Sequence, residues 1–103
     1  MSNVVAINEL QAFYIEMKEQ LHIKNTELEE AFNIIDDMNG YAKEFSKFYD
    51  DGHISEINYA QTKKELKNIF KYYEGRIKKL NKLIPDIEDY ISEYELEYGI
   101  KND

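Results

Sequence analysis

Cysteine and tryptophan are both missing from this chain of 103 residues, while proline and arginine occur once each and glycine four times. Without cysteine there is no disulfide framework, no thiolate chemistry and no cysteine-based zinc site. So little proline and glycine leaves scant material for turns. No uninterrupted apolar stretch approaches the roughly 20 residues a helix needs to cross a bilayer. Residues 1–9 carry neither a basic segment nor a long apolar one, so no secretory signal is expected. Composition therefore points to a soluble, cytoplasmic protein without a membrane partner. The chain is long enough for one domain, 1–103.

Acid and apolar side chains are plentiful. Asp and Glu number 21 against 13 Lys and Arg, a net charge of −8, and 43% of the residues are hydrophobic. That apolar fraction is too high for a disordered acidic tail. Its spacing is regular. Steps of three and four from Ile7 meet Leu10, Tyr14, Met17, Leu21, Lys24, Leu28, Ala31, Ile35, Met38, Ala42, Phe45 and Tyr49, with Lys24 the one charged member. A 3.5-residue period held this long is a coiled-coil seam, and it predicts a helix over about residues 6–50. Gly40 falls on the outward side of it.

Asp50-Asp51-Gly52-His53-Ile54-Ser55 closes that helix and opens another. Gly52 suits a left-handed position after the last turn, and Ser55 suits an N-cap. Ile54 before the cap and Tyr59 four residues after it fit a hydrophobic staple. A turn at 51–54 and a second helix over about 55–98 follow. Its seam runs Tyr59, Leu66, Ile69, Tyr73, Ile77, Leu80, Ile84, Ile87, Ile91, Tyr94 and Tyr98, with two consecutive steps of four at Ile69, Tyr73 and Ile77 that shift its phase. Pro85 lies inside it, but the phase is kept on both sides, which predicts a kinked continuous helix rather than a break.

Folded about Gly52, facing residues should sum to 104 or 105. The pairs are Phe45 with Tyr59, Met38 with Leu66, Ile35 with Ile69, Ala31 with Tyr73, Leu28 with Ile77, Leu21 with Ile84, Met17 with Ile87, Tyr14 with Ile91, Leu10 with Tyr94, and Ile7 with Tyr98. Charge agrees: residues 63–82 are at +6 and residues 27–50, which they would face, at −5. The fold class expected is all-α, a long antiparallel two-helix hairpin of coiled-coil type. Apolar residues remain beside the seam: Phe13, Ile34, Tyr41 and Phe48 on the first helix, Phe70, Leu83 and Tyr90 on the second. A second stripe needs a cover. The candidates are another copy, giving a four-helix bundle by dimerisation, a different protein, or a third helix folded back after Pro85.

Signals for chemistry are sparse. His22 and His53 are the only histidines. Glu19 and His22 have the spacing of a bundle metal pair, but it occurs once, and a solvated histidine is the plainer reading. Asp50-Asp51-Gly52 lacks the alternating oxygens of a calcium loop. Asp36 and Asp37, adjacent on a helix, point in different directions. There is no phosphate loop, no Ser-His-Asp set and no dinucleotide fingerprint. Neither an enzyme nor a cofactor or metal is expected. The lysines of 63–82, mixed with Phe70, Tyr72 and Tyr73, raise nucleic-acid binding, which the overall charge, the acidic facing helix and the single arginine disfavour.

After Leu83 the chain reaches −6, with Asp86, Glu88, Asp89, Glu93 and Glu97 among Tyr90, Tyr94 and Tyr98. Acids along a rigid helix imitate duplex phosphates, and tyrosines among acids suit a basic partner. The residues expected to meet a partner are therefore Phe13, Ile34, Tyr41, Phe48, Phe70, Asp86, Glu88, Asp89, Tyr90, Glu93, Tyr94, Glu97 and Tyr98. In length and outline, with Asp51-Gly52-His53 as the central turn, the chain resembles the WXG100-type hairpins exported by type VII secretion. It lacks their Trp-x-Gly turn, and no acid stands four residues after Tyr90, Tyr94 or Tyr98. That resemblance implies an exported hairpin partner. Thirteen Ile, twelve Lys and nine Asn against one Arg point to an A+T-rich genome, as of a Gram-positive bacterium or its phage. The expected function is a non-enzymatic interaction, adaptor or regulatory hairpin that acts on itself or on an unidentified protein. The alternative is a phage or mobile-element acidic inhibitor of a nucleic-acid-binding protein.

Overall fold

A computed structural model describes residues 2–99, and the side chains of residues 9–99. Its two elements are helix α1, Ser2–Asp50, and helix α2, Glu56–Glu97, so the fold is an all-α helical hairpin. The pairing of Ile7 with Tyr98 and the tail at 100–103 lie outside the described side chains. Helix α2 continues through Pro85, whose ring is exposed to solvent. A proline there removes one main-chain hydrogen bond, and the buried side chains on either side of it, Ile84 and Ile87, keep the helix in register.

The turn is built as its residues dictate. Gly52 has φ +82°, the left-handed region that glycine enters without strain. The amide of His53 donates to the carbonyl of Phe48 at 2.9 Å and that of Gly52 to Tyr49 at 3.0 Å. This nested pair is a Schellman motif, and it satisfies carbonyls that the end of α1 leaves free. At the start of α2 the amide of Asn58 donates to Ser55 Oγ at 3.2 Å, so Ser55 is the N-cap. Ile54 and Tyr59, the staple pair, are both half-buried.

The chain groups into two compact units. The turn unit is Leu28–Lys79; the terminal unit comprises Met1–Glu27 with Leu80–Asp103. In the turn unit only Ala31 and Leu66 are fully buried. A side chain as small as that of Ala31 reaches 2% exposure only beneath a bulky neighbour, and the register sets Tyr73 opposite. Phe45 stacks on Tyr59 at 5.7 Å, and Tyr49 stacks on the same ring at 4.0 Å. Ring against ring, the 104 register is seen directly. One seam position is shared: Ile69, 38% exposed, borders a recess with Met38, Tyr41 and Leu66, and Phe70 is half-buried beside it.

The terminal unit is better packed. Tyr14, Ile87, Ile91 and Tyr94 form its core, with Met17, Leu21 and Tyr90 against them. Leu80, at 2% exposure, is the largest fully buried side chain among the described residues. Lys24, the charged seam residue, is half-buried, and its ammonium reaches Glu27 Oε2 at 3.3 Å one turn along α1.

Leu80→Ala should cost about 3 kcal/mol and Leu96→Ala less than about 0.5, because Leu96 is 85% exposed. Two glycines should differ in sign. Gly52→Ala forces a positive φ and should destabilise by about 1 kcal/mol, whereas Gly40→Ala, with nothing within 4 Å of the added carbon, should stabilise by about as much. Urea unfolding followed by circular dichroism reads all four.

Candidate functional site

The expected contact residues fall into two groups, one in each unit. In the terminal unit, Asp86, Glu88, Asp89, Glu93 and Glu97 are all exposed along α2. Helical spacing puts Asp86, Asp89, Glu93 and Glu97 on one side of it. Phe13 is exposed and meets Tyr90 edge to face at 5.2 Å. Tyr98 is exposed, and with Leu10, Tyr90, Glu93, Tyr94 and Glu97 it borders a shallow recess of about 230 Å3.

Tyr94 is placed differently from the expectation that it meets a partner. It is 8% exposed, its ring stacked on Tyr14 at 4.3 Å and an interplanar angle of 11°. As a seam residue it closes the core of this unit.

Among the acids after Leu83, Glu95 stands apart. It is 6% exposed, and the hydroxyl of Tyr14 donates to its Oε2 at 2.6 Å. Glu95 stands one place after Tyr94 and four after Ile91, so the helical period does bring it to the edge of the buried stripe. A buried carboxylate requires a donor, and Tyr14 supplies one. The Tyr14 pKa is pushed up from its ordinary 10.0 to about 12, first by that hydrogen bond, then by burial and by the negative charges nearby. Burial, with Tyr98 and Tyr90 alongside, raises the Tyr94 pKa as well. The Tyr90 hydroxyl is buried and has no hydrogen-bond partner among the described residues.

In the turn unit, Ile34, Tyr41 and Phe48 recur every seven residues on one side of α1. Ile34 is half-buried, whereas Tyr41 and Phe48 are about half exposed. Tyr41 extends the ring stack to Phe45 at 6.2 Å, and Phe48 meets His53 edge to face at 6.4 Å. Phe70 lies elsewhere, in a groove of about 400 Å3 bordered by Ala42, Phe45, Ser46, Tyr59, Lys63, Leu66, Lys67 and Phe70. The small side chains of Ala42 and Ser46 on its α1 wall leave it open. Ser46 Oγ and the Tyr59 hydroxyl lie 3.2 Å apart at its edge, and the Lys63 ammonium sits 5.8 Å from the centre of the Tyr59 ring.

Glu19 and His22 are both exposed on α1. Among the described residues no three His, Asp or Glu side chains come together as a metal site would require. No described helix is long and apolar enough to cross a membrane. Comparison of the chain with protein-family models, with curated proteins and with solved structures finds no match in any of the three.

The folded state holds the Tyr14 proton more tightly than the unfolded chain does. Stability from this contact is therefore complete below pH 10 and lost as the pH rises through about 12. Tyr14→Phe leaves Glu95 buried without its donor; it should lower the melting temperature at pH 7 and flatten the decline above pH 10. Melts recorded between pH 7 and 12 would show both effects. An unchanged melting temperature at pH 7 would mean that Glu95 finds water instead.

Proposed function

We propose that this chain is a non-catalytic protein–protein interaction hairpin whose uncovered aromatic face is closed by another copy of itself. The observation that carries this reading is the imbalance in the turn unit. Two side chains there are fully buried, while Phe32, Tyr41, Phe48, Ile57, Ile69 and Tyr72 stand between 38% and 79% exposed. Singly exposed apolar residues are ordinary; two large rings at heptad spacing on one face, beside a half-buried Ile34, are the pattern of a helix awaiting a neighbour.

Covering that face completes a four-helix bundle by twofold symmetry, and the acidic charge keeps the assembly soluble. Sedimentation velocity over a range of concentrations tests it. The wild-type chain should dimerise, and Tyr41→Ser with Phe48→Ser should shift it to monomer by at least tenfold in dissociation constant while helicity is kept. A monomer at all concentrations would refute the reading.

A second reading is favoured by a different observation. The exposed carboxylates Asp86, Glu88, Asp89, Glu93 and Glu97 occupy a stretch of α2 without a basic residue. That arrangement suits an acidic inhibitor lodged in the basic groove of a nucleic-acid-binding protein. A complex of this kind captured on immobilised chain should form at 50 mM salt and be released by about 500 mM, where charges a few ångströms apart are screened. An apolar bundle contact should survive that wash.

A further inference from the structure

We infer that the groove of the turn unit is a docking site for the acidic stretch 86–97 of α2 from a second copy of this chain, an inference that rests on the self-association proposed above. The groove has an aromatic and aliphatic floor of Phe45, Tyr59, Leu66 and Phe70, and its open side carries Lys63 and Lys67. Both lysines are exposed, and neither has an ion-pair partner among the described residues. The α1 wall contributes Ala42 and Ser46 and no carboxylate. This side of the hairpin is thus positive around an apolar gap, although the chain as a whole stands at −8.

The stretch 86–97 has the complementary chemistry. It holds six acids and no base. Asp89 and Glu93 are one helical turn apart, as are Lys63 and Lys67, so the two carboxylates and the two ammoniums share a spacing of about 6 Å along their helices. Leu96 lies one turn beyond Glu93 on the same side and is 85% exposed, the most exposed large apolar side chain described. In the docked arrangement Asp89 and Glu93 lie against the two lysines, and Leu96 enters the apolar gap above Phe45, Tyr59, Leu66 and Phe70. A side chain inserted there gives the contact an apolar part as well as a charged one. Charge also selects this arrangement over side-by-side pairing of like units. The terminal unit has eleven acids against four bases, whereas the turn unit is nearly balanced at ten against nine.

Charge reversal tests the pairing. Two variants, K63E/K67E and D89K/E93K, are prepared with the combined four-site variant, and circular dichroism checks that each remains helical. Self-association of each is then measured by sedimentation velocity at 50 and 300 mM salt. Each two-site variant should associate at least tenfold more weakly than wild type at 50 mM, and the four-site variant should recover most of that loss. A mixture of the two-site variants should associate where neither does alone. If all the variants associate as wild type does, the groove does not take this segment, while self-association through Tyr41 and Phe48 stands. If the two-site variants weaken and neither the four-site variant nor the mixture recovers, the lysines and the acids serve different contacts and the pairing is overturned. A wild-type chain that stays monomeric overturns this inference together with the reading it rests on.

Discussion

Two helices packed against each other can bury only one stripe of each, and that constraint governs everything else in this protein. The seam that results is narrow. Where large residues fill it, as Tyr14, Ile87, Ile91 and Tyr94 do, the core is closed and even a carboxylate can be held inside by a tyrosine hydroxyl. Where small ones stand, as at Ala42 and Ser46, a groove opens. The two units differ for that reason, although the same two helices build them.

Aromatic side chains take over much of the packing that aliphatic ones provide elsewhere. In the turn unit the rings of Tyr41, Phe45, Tyr59 and Tyr49 form a chain of contacts, with a lysine over one member. In the terminal unit Tyr94 lies between Tyr14 and Tyr98. Tyrosine suits a thin core because its ring packs inside while its hydroxyl reaches the edge. The same property leaves aromatic surface at the rim of the seam.

Electrostatics here orients more than it stabilises. Most of the lysines of α2 and the acids of α1 in the turn unit are exposed, where each pair contributes little. Their summed fields still favour one pairing of helices over another. Tyr14 and Glu95 are the exception, a charged contact removed from solvent and so coupled to pH and to folding.

The helical hairpin, its register and its turn were legible in the residues alone, because each rests on a local or periodic rule. A 3.5-residue repeat, a glycine that tolerates positive φ and a serine cap act over a few residues, and antiparallel register follows once the turn is placed. What the tertiary structure decided were the things that depend on which side chains meet across the seam. Phe70 is better covered than Ile69, since either satisfies a near-heptad step and only packing separates them. Tyr94 is buried and Glu95 goes in beside it, because Tyr14 stands opposite with a hydroxyl to donate. The lysine-rimmed groove brings Ala42 and Ser46 of α1 together with Lys63 and Lys67 of α2, which no periodicity within one helix reveals.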